Sequence, residues 1–198
     1  MENKTPVTSH IAIQALRPAY ALPERLTRDH LLVSSCYQCR KCSGGCPLTF
    51  AMDLLPDRVI RLALLGQEDM VLNCRTIWVC SSCETCTTRC PNGIDIAGVM
   101  DWLKEAAVQR GRAIPESDVA NFHRFFLEAV RDGGGRLPEA LLMRRFTLYQ
   151  IKSGHSAWEV LRNLKLGWKL LRRGRLSLRT HPLHNKKEVS AIFKESGF

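Results

Sequence analysis

No stretch of this 198-residue chain approaches the roughly 20 consecutive apolar residues of a membrane-spanning helix. Met1 to His10 are polar and lack the apolar core of a secretory signal, so a reducing, cytoplasmic location is expected. Clear period-two alternation is also missing, which disfavours a sheet and predicts an all-α fold. There is no glycine-rich phosphate loop, no flavin or nicotinamide fingerprint and no Ser/His/Asp order worth naming. Helix-turn-helix and zinc-finger signatures are absent, so a nucleic-acid role rests on basic charge alone. These absences leave no recognisable catalytic pocket, and no catalytic residue is assigned.

What the chain does hold is nine cysteines, eight of them in a motif that occurs twice. The first copy is Cys36-Tyr-Gln-Cys39-Arg-Lys-Cys42-Ser-Gly-Gly-Cys46-Pro47 and the second is Cys80-Ser-Ser-Cys83-Glu-Thr-Cys86-Thr-Thr-Arg-Cys90-Pro91. Each reads C-x2-C-x2-C-x3-C-P, the ligand run of two-cluster bacterial ferredoxins. Two-residue gaps let three sulfurs reach three irons of one cube, while the fourth cysteine of such a run serves the other cube. Two [4Fe–4S] clusters are therefore expected. Cluster one takes Cys36, Cys39, Cys42 and Cys90, and cluster two takes Cys80, Cys83, Cys86 and Cys46. The proline after each fourth cysteine fixes the backbone and turns the chain away.

Other uses of cysteine fit less well. A zinc ribbon uses pairs of cysteines and does not explain the third and fourth positions or the repeated proline. A disulfide scaffold is usually shorter and secreted. Cys74 stands outside both motifs. It reads as a small buried hydrophobe near cluster two, with a labile ligand or redox-sensing thiol as the sharper alternative.

Three regions follow. Residues 1–30 are expected to form an N-terminal arm, because Pro6, Pro18 and Pro23 interrupt any long periodic pattern. Residues 31–111 form the α-helical ferredoxin domain. Within it, Asp53 and Pro56 open a helix that stops at Gly66, Glu68 to Val79 makes a further helix, and Asp95 caps another that runs to Gly111. Residues 112–198 form a basic helical extension. Its helices run from Pro115 to the glycines at 133–135, from Pro138 to about Ile151, and from Ser156, with Glu159 as its capping-box partner, to Arg173. A short charged helix covers Lys186 to Lys194.

The formal charge of +10 falls to roughly +6 once two cubanes of about −2 each are counted. The positive excess lies late, from Arg162 through Arg179 to Lys187. The helix at 156–173 is expected to pack through Val160, Leu161, Leu164, Trp168 and Leu171, with Lys165, Lys169, Arg172 and Arg173 opposite. Three uses remain open for it: a packed helix with a solvated face, a dock for an acidic partner, or peripheral contact with a membrane surface. His181 and His184 flank Pro182, which breaks helical geometry, so they read as ordinary histidines rather than ligands.

The motif pair in a helical setting, with an N-terminal arm and a basic helical tail, resembles the C-type subunit of heterodisulfide reductase over roughly 31–198. Phe125-Phe126…Gly135-Arg136 and Leu170-Leu-Arg-Arg-Gly174-Arg-Leu176 are similar to what that subunit carries after its clusters. The resemblance implies a non-catalytic electron-transfer subunit. It would pass single electrons between an A-type subunit with FAD and iron–sulfur clusters and a catalytic B-type subunit of Cys-Cys-Gly character. The iron–sulfur subunits of glycolate and glycerol-3-phosphate dehydrogenases share the motif pair but add Cys-Cys-Gly segments, which this chain lacks. An iron–sulfur regulatory or binding module is the reading from another class. Arg40 and Lys41 inside motif one, against Glu84 inside motif two, predict the higher potential for cluster one, with the hydroxyls of Ser81, Ser82, Thr85, Thr87 and Thr88 as an offset.

Overall fold

The computed structural model describes residues 19–175 and 186–196. Pro6, Pro18, Leu176, Arg179 and the His181–His184 pair lie outside the described residues. Among the described residues every regular element is helical and none is a strand. The chain divides into two compact units, Met1–Ser117 and Asp118–Phe198.

The first unit holds α1 (Ala21–Arg28), α2 (Lys41–Gly45), α3 (Pro56–Leu64), α4 (Glu68–Leu72), α5 (Thr76–Val79), α6 (Thr85–Thr88) and α7 (Ile96–Gln109). Pro56 occupies the first turn of α3, where its missing N–H would have had no partner. Gly66 ends that helix at φ +67°, with the Gln67 N–H donating to the Leu62 carbonyl and its own N–H to the Ala63 carbonyl. Asp95 begins α7 by accepting the Gly98 N–H at 2.9 Å. Val59, Ile60, Val71, Leu72, Ile77, Val99, Met100 and Leu103 fill the core between α3, α4, α5 and α7.

Two elements differ from the expectation set by local pattern. The end of the expected arm is helical: α1 buries Leu22 and Leu26 and packs on α3. The single helix expected over Glu68 to Val79 is two short ones, α4 and α5. The break has a physical cause in Asp53. Its carboxylate accepts the backbone N–H of Arg75 at 2.8 Å and of Thr76 at 2.9 Å, which starts a new helix there. Thr76 is fully buried, and the single proton of its hydroxyl has the same carboxylate and the Leu54 carbonyl as acceptors within reach.

The second unit holds α8 (Ser117–Asp132), α9 (Glu139–Lys152), α10 (Ala157–Arg172) and α11 (Lys186–Glu195). Edge-to-face rings join α8 to α9, Phe122 with Phe146 at 5.4 Å and Phe125 with Tyr149 at 5.7 Å. Ser156 caps α10 by accepting the Glu159 N–H. The packed side of α10 matches the expected one only in part. Val160 and Gly167 are buried, Asn163 donates to Gln150 of α9 at 3.0 Å, and Met143 of α9 lies over Gly167. Leu161, Leu164 and Trp168 are instead more than half exposed, as is Trp158. A close helix approach at glycine has displaced the larger apolar face from the contact.

Candidate metal centres

The two cysteine motifs adopt the same backbone. Gln38 and Arg40 in the first have φ near +62°, and their counterparts Ser82 and Glu84 in the second have φ of +51° and +57°. None of these four is glycine, and left-handed φ at such residues is uncommon enough to mark a functional loop. Arg40 and Glu84 are each left-handed and followed by a helical residue, an order suited to gathering backbone N–H groups around an anionic guest. Arg40 and Glu84 then lead into α2 and α6, which pack on each other.

That pairing crosses the motifs. One cavity is lined by Cys36, Cys39, Cys42 and Cys90. A second is lined by Cys80, Cys83, Cys86 and Cys46. The structure thus gathers each group of four cysteines expected from the sequence, with the fourth member of each borrowed from the other motif. The Asn92 side chain fastens the exchange by donating to the Ser35 carbonyl beside Cys36. Gly45 admits the Arg89 side chain closely enough that a Cβ there would collide with it.

The residues present fit a cubane. Each cavity offers four cysteines to one enclosed space, and its remaining lining includes apolar residues: Ile60, Ile94 and Ile96 at site one, and Leu48, Met52, Ala97 and Met100 at site two. Among the described residues no three Cys, His, Asp or Glu side chains gather tightly enough for a single ion. The thiolates of a cubane bind four different irons, so they stand farther apart than the ligands of one zinc. The Ile94 N–H reaches Cys90 Sγ at 3.4 Å, the Gln38 amide reaches Cys36 Sγ at 3.2 Å, and Cys83 Sγ meets the Thr85 hydroxyl at 3.4 Å.

Two charged residues that the motif itself does not reveal stand near the cysteines, Asp57 in the lining of site one and Lys104 at the Cys80 backbone. Asp57 is buried and lines site one. Its carboxylate accepts the Ser43 hydroxyl and stands 3.7 Å from the Arg40 guanidinium. Lys104 donates to the Cys80 carbonyl at 3.1 Å and to the Ser82 hydroxyl at 3.3 Å. Burial pushes the Cys42 thiol up, and the Asp57 charge adds to that while hydrogen bonds at Ser43 oppose it. Burial likewise raises the Cys80 thiol, against the pull of the Lys104 ammonium. Their distance along the chain from the cysteines they face hides both residues from a motif reading.

Cys74 is placed apart. It lines neither cavity, is buried, and donates from Sγ to the Val71 carbonyl at 3.1 Å. Burial pushes its thiol up to about 11.

The chain is similar in sequence to known proteins. The family described as "4Fe-4S dicluster domain" matches residues 32–94. The chain is 35% identical over 99 residues to the second C-type iron-sulfur subunit of the CoB–CoM heterodisulfide reductase of Methanocaldococcus jannaschii, covering 50% of this chain and 53% of that one. It is 39% identical over 106 residues to the C2 subunit of the H(2)/formate:CoB-CoM heterodisulfide,ferredoxin reductase of Methanococcus maripaludis, 54% of each. A third relative is the C-type subunit of the Ferredoxin/F(420)H(2)-dependent CoB-CoM heterodisulfide reductase of Methanosarcina acetivorans, at 35% over 113 residues, 57% of this chain and 66% of that one. The chain thus spans about half to two thirds of the length of these curated relatives. The matched stretches are shorter than the 31–198 range expected for the resemblance. The cofactor expectation, two [4Fe–4S] clusters, stands with the matched domain.

Proposed function

From a chain that carries a 4Fe-4S dicluster domain and is related over about half of its length to the C-type subunits of heterodisulfide reductases, we propose an electron-transfer subunit of a heterodisulfide reductase-like complex. In this reading Cys36, Cys39, Cys42 and Cys90 hold one cluster, and Cys80, Cys83, Cys86 and Cys46 hold the other. The observation that carries it is the sorting of eight cysteines into two cavities of four, each completed by the opposite motif. When bound, a cubane accepts and releases one electron at a time.

The chain's own residues suit a relay. Cys42 is buried, whereas Cys39 and Cys83, the second cysteines of the two motifs, are exposed. Each site therefore has one ligand at the surface, where a partner can approach, while α2 and α6 hold the two sites side by side. The left-handed loop residues fix the donors before any guest arrives, so little rearrangement accompanies a change of charge. The relay itself does no substrate chemistry. An A-type partner, with FAD and iron–sulfur clusters, and a B-type partner, of Cys-Cys-Gly character, stand on either side of it. The exposed Trp158, Leu161, Leu164 and Trp168 on α10 support a role within an assembly, because such stripes on soluble proteins usually mark contacts.

Affinity capture of the full chain from anaerobic cells tests the assignment. A flavoprotein and a Cys-Cys-Gly protein are expected to be retained together at stoichiometric levels. Retention of nucleic acid with neither protein would overturn the relay.

A further inference from the structure

We infer that Asp57 and Lys104 set the order of the two potentials, so that the first electron entering the pair rests at the Cys80–Cys83–Cys86–Cys46 site. The inference rests on the ligand assignment proposed above, and it reverses the expectation drawn from Arg40, Lys41 and Glu84.

The reason lies in which charges are buried. Arg40, Lys41 and Glu84 are all exposed, so water and salt screen them. Beside site one the buried charge is negative: the Asp57 side chain is 8% exposed, while its partner Arg40 is 80% exposed. Beside site two the pattern is inverted. The Lys104 side chain is 12% exposed, and its partner Asp101, at 2.8 Å, is 53% exposed. In each pair the solvated member is screened and the buried member acts through a low dielectric. A carboxylate opposes the arrival of an electron and an ammonium favours it, since net charge is among the determinants of cluster potential.

Hydrogen bonds to sulfur are made at both sites and do not set the order. Gln38, Ile94 and Ser43 donate to cysteine sulfurs at site one, and Ser82, Thr85 and Thr87 do so at site two. These are neutral dipoles, weaker than a full charge in a poorly screened position. The buried charges therefore decide the order.

Redox titration of the anaerobic full-length holoprotein with dithionite, followed by electron paramagnetic resonance, tests this. The two centres are identified by the signals lost in Cys39→Ser and Cys83→Ser. In the unaltered protein the centre lost in Cys83→Ser is expected to be reduced first. Asp57→Asn, which keeps an acceptor for Ser43, should shift the reduced-to-oxidised ratio of the other centre toward reduced by about tenfold at fixed potential, or ~59 mV for one electron. Asp57→Glu should restore it. Lys104→Met, which keeps the alkyl stem, should move the Cys80 centre about tenfold toward oxidised. Should Asp57→Asn fail to load its cluster, the Lys104 variant decides alone. Two cubane signals with the Cys36 centre reduced first, or with neither ratio moved by its variant, overturn the inference and leave the ligand assignment intact. Absence of cubane signals would refute the assignment itself.

Discussion

The Asp53 carboxylate accepts the Thr76 backbone N–H at 2.9 Å, tying the segment after motif one to the helix that enters motif two. The same carboxylate takes the N–H groups of Leu54 and Arg75 and the Thr76 hydroxyl. One side chain thereby sets the spacing of the two cysteine loops. Asp53→Ala leaves several donors without a partner and is expected to cost about 1–3 kcal/mol. Denaturant titration of the variant checks this. Burial pushes the Asp53 carboxyl up, but the hydrogen bonds from Arg75, Thr76 and Leu54 outweigh it and leave it below the ordinary carboxylate range. A depressed native value means its stabilisation is complete above the unfolded-chain value and is lost as pH falls through the native one. The Asp53→Ala deficit should therefore shrink on acidification from neutral pH to below about 4.

Gly66→Ala should loosen the N-terminal end of the first unit. The position has φ +67°, which costs an L-residue about 1–2 kcal/mol. A Cβ there would also strike the Ala19 carbonyl, next to α1. Limited proteolysis is expected to cut before α3 faster in the variant than in the unaltered protein, with Gly44→Ala, where nothing crowds the added methyl, as the control.

Cys74 is expected to behave as a packing residue. Cys74→Ala should keep the full iron content and both cubane signals, and native Cys74 should resist alkylation at pH 8, because its thiol is buried and raised to about 11. Iron analysis and mass spectrometry of alkylated peptides check both outcomes.

The motif pair was legible because its spacing is local, although the fourth cysteine lining each cavity comes from the distant motif. Helix signals were legible where they too are local, as with Pro56 at the start of α3 and Asp95 at the start of α7. α1 was hidden by Pro23, which reads as a breaker but sits at the third residue of the helix, where the N–H that proline lacks would have had no intrahelical partner. The break between α4 and α5 comes from Asp53, more than twenty residues earlier, and no local pattern carries it. The packed face of α10 keeps Val160 of the expected stripe but includes Gly167, which meets Met143 of α9, and leaves Leu161, Leu164 and Trp168 exposed, which an apolar count along one helix does not show. Asp57 and Lys104 reach the sites only through the fold.

In the second unit, His155 Nε2 and Asp118 Oδ2 stand 2.9 Å apart, and the Tyr149 hydroxyl donates to the other Asp118 oxygen at 3.0 Å. The hydrogen bond to Asp118 raises the His155 value above its ordinary 6.5, with its partial burial opposing. A raised native value places the stabilising contribution below the unfolded-chain value and removes it as pH rises through the native one. An NMR titration of the imidazole is expected to give a midpoint above 6.5. Asp118→Asn should lower that midpoint and abolish the associated decline in thermal stability at higher pH.

Exchange of the fourth cysteine between the motifs is the claim on which the account turns, and single-ligand variants examined by electron paramagnetic and Mössbauer spectroscopy test it most directly. Cys90→Ser is expected to damage the same centre as Cys42→Ser and to spare the one damaged by Cys86→Ser, with Cys46→Ser showing the converse pattern. If Cys90→Ser instead damages the centre shared with Cys86→Ser, each motif holds its own cluster and the crossed arrangement is contradicted.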